Sequence, residues 1–274
     1  RELLGLTATP ERGDGENVQK YFDYRVAHEL RLWDALRLQL LVPMHYYGIA
    51  DGTDLSSLTW SRGRKDYNSR ELSEFYIKAG EKRTRFIINE LNRRIFDLSE
   101  MKAIGFCVTI AHAKYMATQF QQFGIPARAV TNELSAAERA QAIRDLEAGE
   151  VKVLFSVDIF NEGVDIPAVN TLLLLRPTQS PVVFLQQLGR GLRLSPGKDS
   201  CVIFDFIGQQ HVDFDFERKF HALTRKRGKR LAEEIEQGFP TTPPGSHIQF
   251  DQSTTEQVLR NVKKVSRNSL RKRS

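Results

Sequence analysis

Two arginines, Arg190 and Arg193, lie three residues apart in the run QQLGRGLRL, residues 186–194. On a helix that spacing turns both side chains the same way, and two guanidiniums so placed match the spread charge of a triphosphate's β and γ groups. In phosphoryl transfer such arginines stabilise charge as the leaving bond breaks, an effect of about 10³–10⁵ in rate. Two arginines alone would be read as a solvated surface pair. Gln186 and Gly189 complete the pattern Q-x-x-G-R-x-x-R, which is far more specific and favours a nucleotide site.

A second candidate precedes it. In the turn NEGVD, residues 161–165, Gly163 permits a backbone that would strain other residues and lets a ligand approach closely. Asp165 could accept hydrogen bonds from a ribose or from a neighbouring arginine. In isolation EGVD is a turn with a capping aspartate; its place between two apolar runs and before the arginines argues for more. The stretch GLRLSPGKD, residues 191–199, resembles a P-loop only superficially. That loop needs four residues between its glycines and a Ser or Thr after the lysine, whereas five residues and Asp199 stand here. PGKD is instead a turn into the next strand. Thr7 and Thr9, in TATP, could relay between a nucleotide and a second ligand, or simply cap a loop. HExxH and paired CxxC motifs are absent and the six histidines are scattered, so no metal cage is expected. Ser156 carries no mark of a nucleophile.

The elements that must hold these residues follow from periodicity. Residues 151–157 and 171–175 are apolar runs with the length and bulk of strands buried on both faces. With 103–109, 127–130 and 201–206 they alternate with helices at 110–123, 135–148 and 181–188, the second opened by a capping pattern, Ser135 to Glu138. This alternation predicts an α/β fold with a doubly wound parallel sheet. A phosphate site would then lie at the carboxyl edge of that sheet. Upstream, helical spacing covers 26–40, a strand follows Pro43 at 44–50, residues 51–70 form a polar excursion loop, and helices occupy 69–78 and 82–96. Residues 3–6 are the last part of a strand, as in a chain cut from something longer. Downstream of 206, a long charged helix spans 214–237, a shorter one 256–265, and the basic RNSLRKRS is a tail expected to fray. These residues read as an appendage to the sheet.

Composition sets the class. The 274 residues are 41% hydrophobic and 27% charged, with a net charge of +6 that leans mildly towards a polyanionic partner. Cys107 and Cys201 fall in apolar runs and are expected to be buried reduced thiols. No apolar run approaches the roughly 18 residues of a membrane span, so a soluble, cytoplasmic protein is expected.

Taken together these motifs resemble the second RecA-like lobe of superfamily 2 helicases, preceded by the end of the first lobe. TATP looks like motif III, residues 104–110 like motif IV, SVDIFNEGVDIP (156–167) like motif V and QQLGRGLRL like motif VI. LVPMHYYGI and FNEGVDIP make the chain most similar to DEAD/DEAH-box helicases akin to restriction-enzyme motor subunits. The resemblance implies residues 1–25 as the end of the first lobe and connector, 26–210 as the helicase C-terminal lobe and 211–274 as a basic, mainly helical extension. It implies a P-loop NTPase fold without its own P-loop, with Arg190 and Arg193 as arginine fingers on ATP held by the first lobe, which also holds Mg²⁺. Gln186, Gly189, Gly163 and Asp165 would face the nucleotide, and Thr7 and Thr9 would couple the sites. Thr109, Thr131 and Ser156 would hold one nucleic-acid strand, DNA rather than RNA on the family likeness. Many relatives carry Thr where Val157 stands, so one hydroxyl contact is missing. The P-loop lysine and the DEAD/DEAH acidic pair are absent from these residues, so the chain alone is expected not to hydrolyse ATP. The reading is therefore the C-terminal motor lobe of an ATP-dependent helicase or translocase. A non-catalytic nucleic-acid-binding or regulatory module on the same fold is the alternative. A Rossmann enzyme is disfavoured because no GxGxxG follows a strand.

Overall fold

Three four-residue strands, β4 (Ala103–Phe106), β6 (Val153–Ser156) and β7 (Thr171–Leu174), are buried at every position. Such strands have apolar neighbours above and below, the situation of central strands in a parallel sheet covered on both faces. In a computed structural model that describes residue 5 and residues 18–157 and 165–271, with side chains to residue 265, they occupy the middle of a seven-stranded sheet. Also in it are β1 (Met44–Asp54), β5 (Ala127–Ala129), β8 (Cys201–Gln209) and β9 (His247–Phe250). The order is β5-β6-β4-β7-β8-β1-β9, and every neighbouring pair is parallel.

Alternating side chains divide the core in two. Ile104, Leu154, Leu172, Leu174 and Ile203 face one way, and Ala103, Phe155, Leu173, Phe204 and Phe206 the other. The second face is covered by α2 (Ser69–Arg94) and α3 (Ile110–Gln122). The first is covered by α1 (Leu32–Arg37), α4 (Ala136–Ala148), α5 (Pro181–Gly191), α6 (Phe216–Thr224), α7 (Gly228–Glu236) and α8 (Gln252–Arg271). Helix α3 leaves β4 on one face and α5 leaves β7 on the other. The boundary between β4 and β7 is thus the topological switch point, where open α/β sheets bind ligands at their carboxyl edge.

Most expected strands and the Ser135–Glu138 capping box are present. The differences have local causes. Helix α1 covers only part of the expected 26–40: Val26 and Leu30 stay exposed, so no burial supports a helix there, and it begins at Leu32 where Trp33, Ala35 and Leu36 are buried. Helix α2 is two helical pieces joined at Gly80, whose φ of 66° and ψ of −149° suit glycine alone, so the two separate helices of the sequence reading are recovered. The excursion at 51–70 is structured: β1 continues to Asp54, and β2 (Trp60–Ser61) pairs antiparallel with β3 (Asp66–Tyr67). The long helix expected at 214–237 is broken at Arg225, which is left-handed at φ 59°, into α6 and α7.

The stretch after 210 proves more than an appendage. It sends β9 into the sheet against β1, and α6 is tied to the core by a buried Lys219–Asp205 ion pair that also receives the Tyr46 hydroxyl. Cys107 and Cys201 are buried and unbridged, and burial pushes the Cys201 thiol up to about 12. Among the described residues no helix is long and apolar enough to cross a membrane.

Candidate nucleotide and nucleic-acid site

Helix α5 is started by Ser180, whose hydroxyl accepts from the Val183 amide, and by Pro181 in its first turn. Phe184, Gln187, Leu188 and Gly191 turn inward, at the i, i+3, i+4, i+7 spacing of a buried stripe. That leaves Gln186, Gly189 and Arg190 on the outward side, the first and last half-buried. At Gly191 an added Cβ would meet Cys201 Sγ at 2.5 Å and Leu172 at 2.9 Å, so the helix end lies directly on the sheet. At Gly189 an added Cβ would meet nothing within 4 Å. Burial lowers the Arg190 guanidinium below the usual arginine value, which still leaves it charged.

Arg193 lies past the end of the helix rather than on it. Leu192 caps α5, is fully buried, and accepts the Val42 amide on its carbonyl. Arg193 then turns out and pairs with Asp165. Of the two partners foreseen for Asp165, the neighbouring arginine is the one seen here. Lys198, refused as a P-loop lysine, donates from Nζ to the carbonyls of Pro167 and Arg193, both at 2.9 Å. It clamps the arginine segment to the segment leading into β7. Sequence reasoning missed this role; its signal was the PGKD turn, which returns the lysine towards the arginines.

The arginines do not stand at the carboxyl edge, as the sequence reading had it. Helix α5 follows β7 and runs back, so its last residues reach the amino ends of the strands. Its contacts there are Cys201, the first residue of β8, and Val42, just before β1. Thr109, Thr131 and Ser156, in contrast, follow or end β4, β5 and β6 at their carboxyl ends. Thr109 is half-buried and caps α3, accepting from the His112 amide at 3.2 Å, and its Oγ1 shares a 2.6 Å hydrogen bond with Ser73. Thr131 is buried and accepts from the Glu133 amide. Ser156 is fully buried, its hydroxyl without a hydrogen-bond partner among the described residues. Of the three, Thr109 is the one offered to a ligand in this conformation. Thr7, Thr9 and Gly163 lie outside the described residues. No cluster of three or more metal-ligating side chains is found among the described residues.

Beneath Thr109, Arg83 lies over the Tyr76 ring at 4.0 Å, and Tyr76 stacks on His112 with centroids 5.3 Å apart. Arg83 Nε donates to Asp51 at 2.9 Å. Burial, helped by the Arg83 charge, pulls His112 down to about 3, so its ring is neutral and Nδ1 accepts from the Val108 amide. This stack fixes the start of α3, and nothing in the sequence pattern announced it.

Residues 85–195 match the helicase conserved C-terminal domain. A 51.5 kDa protein of a Lactococcus phage is 28% identical over 83% of this chain and 49% of its own length. IRC3, a candidate ATP-dependent helicase of Saccharomyces cerevisiae, is 30% identical over 77% of this chain and 30% of its own. The chain thus spans about half or less of the length of these relatives. Among solved structures, the ATP-dependent type ISP restriction-modification enzyme LlaBIII bound to DNA shares the fold, with a TM-score of 0.56 and 15% identity over 96% of this chain and 20% of that one. With the parallel sheet and the matching domain in place, the chain has a RecA-like α/β fold matching helicase C-terminal lobes, and its residues 85–195 are similar to the helicase conserved C-terminal domain.

Proposed function

We propose that this lobe works in an ATP-dependent DNA helicase or translocase, completing a nucleotide site whose other wall is a first RecA-like lobe. The observation that carries the reading is the arrangement at the end of α5: Arg190 half-exposed, Gly189 opening onto free space, and Arg193 held by Asp165. Two cations beside an uncovered helix surface fit a triphosphate, whose negative charge they would neutralise. ATP, with Mg²⁺ held by the first lobe, would supply the free energy of phosphoanhydride cleavage. Within this chain, Arg190 and Arg193 would bind and orient the phosphates and Gln186 would hydrogen-bond beside them. Asp165 would keep Arg193 extended until the lobes close, and Gly163 would let the motif V backbone come near. Thr109, with Thr131 and Ser156 if that edge opens, would hold the sugar-phosphate backbone of one strand. Lobe closure and opening would then move the grip at the carboxyl edge relative to that of the first lobe.

The test is DNA-stimulated ATP hydrolysis by the full-length protein carrying Arg190→Ala or Arg193→Ala. Each should lose about 2–4 kcal/mol of transition-state stabilisation, with DNA affinity kept. Turnover equal to wild type in both variants would instead favour a lobe that binds without catalysis.

A further inference from the structure

We infer that the β2–β3 hairpin, residues 60–67, is a second contact for the phosphodiester backbone, extending the strand track from Thr109 across the sheet edge. The inference rests on the proposed function, because it lengthens the same track.

A two-stranded hairpin is marginal on its own, and this one has only two paired positions, Trp60 with Tyr67 and Ser61 with Asp66. It is held by its surroundings. The Trp60 ring lies flat on His211, with centroids 5.1 Å apart and 3° between planes. Tyr67 is buried; its hydroxyl donates to Gln210 at 3.0 Å and accepts the His211 amide at 2.6 Å. Gln179 donates to the Lys65 carbonyl, and Arg176 pairs with Asp66 at 3.3 Å. These partners follow the carboxyl ends of β7 and β8, so the hairpin is fixed on the edge that carries Thr109. Helix α2 begins directly after it, and Ser73 in that helix bonds Thr109.

The anchored turn presents Arg62-Gly63-Arg64-Lys65, all exposed. Arg62 has an acidic neighbour in Asp213, at 3.7 Å. Arg64 and Lys65 have no ion-pair partner among the described residues, so two adjacent exposed cations sit on the anchored turn. The groove of about 290 Å³ beneath the hairpin is lined by Arg62, Lys65 and Arg218 as well as Asp213 and Asp215, so its cations outnumber its carboxylates. An anionic chain can therefore run over the tip, with Lys65 bordering the groove as a further cation beside it. Neighbouring strands are about 4.8 Å apart, so the ends of β4 and β8 are separated by about 10 Å. At about 3.4 Å per phosphate along one duplex strand, that distance covers about three phosphates. A single backbone can thus touch Thr109 and the hairpin at once.

Fluorescence anisotropy with a labelled 20-nucleotide DNA, single-stranded and duplex, tests this on wild type, Arg64→Glu/Lys65→Glu and Thr109→Ala. Each lost phosphate contact flattens the salt dependence by about 0.7 for a single strand and about 0.9 for duplex. The double variant should therefore be shallower by about 1.4 to 1.8 and bind at least about tenfold more weakly at 0.1 M salt, with an unchanged thermal melt. Wild-type affinity and slope in the double variant, with Thr109→Ala weakened, would overturn the hairpin contact, leave the track reading standing and assign the tip to a protein surface. No binding by wild type would sink both.

Discussion

Gly189 and Gly191 are two residues apart in one helix and lack side chains for opposite reasons. At 191 the sheet is in the way: an added methyl would press on Cys201 Sγ and Leu172. Gly191→Ala should cost about 1–3 kcal/mol in urea unfolding, as overpacking does. At 189 nothing is in the way, and glycine inside a helix costs about 0.5–1 kcal/mol relative to alanine. Gly189→Ala should therefore stabilise the isolated chain slightly. If the space belongs to a nucleotide presented by another lobe, the same change should depress ATP hydrolysis by the full-length protein. A stabilised variant with undiminished turnover would remove Gly189 from the site. The spacing Q-x-x-G-R-x-x-R made these residues legible in the sequence, but it could not separate the two glycines. Nor did it reveal that Arg193 lies beyond the helix, since helix ends are set by the cap, here the buried Leu192.

Where α2, α3 and the end of β1 meet, the Arg83–Tyr76–His112 stack makes a prediction about pH. His112 is fully buried and its folded value is about 3, against about 6.5 for an unfolded histidine. Above pH 6.5 both states are neutral there and its contribution to stability is fully present. As pH falls below 6.5 the unfolded chain takes up a proton that the folded one does not. Stability should drop by about 1.4 kcal/mol per unit, reaching about 2 kcal/mol by pH 5. His112→Asn keeps an acceptor for the Val108 amide but cannot titrate. Urea melts at pH 7 and 5 should show a smaller loss for the variant; equal losses would refute the assignment. Element identity was readable wherever burial is two-sided, as in β4, β6 and β7, because a continuous apolar run leaves little else to form. It was not readable for β9, whose HIQF has a half-exposed, mixed pattern, or for β2 and β3, whose two residues carry no period. Their positions are set by partners far along the chain: β1 for β9, and His211 and Gln179 for the hairpin.

Across the whole molecule, Arg190, Arg193 and Asp165 lie towards the amino ends of the strands, and Thr109, Thr131 and Ser156 at their carboxyl ends. Motif order along the chain cannot reveal this, because a helix returning from β7 brings motif VI back to the amino end while motif IV stays at the carboxyl end. The segment from Ser156 to Asn170 links them: it leaves β6 at the carboxyl end and enters β7 at the amino end, with Asp165 on Arg193 near its finish. If ATP and DNA are coupled through that segment, damage at its two ends should have separable signatures in the full-length protein. Thr109→Ala should weaken DNA binding severalfold and raise the DNA concentration needed for half-maximal ATPase, while leaving turnover without DNA intact. Asp165→Ala frees Arg193 and should lower turnover roughly tenfold or more with DNA affinity unchanged, since a misplaced charge-stabilising group costs a few kcal/mol. Measuring ATPase against DNA concentration for both variants, beside direct DNA binding, reads the two effects apart. Loss of DNA affinity in Asp165→Ala, or of DNA-free turnover in Thr109→Ala, would show that the two ends are not the separate stations their placement suggests.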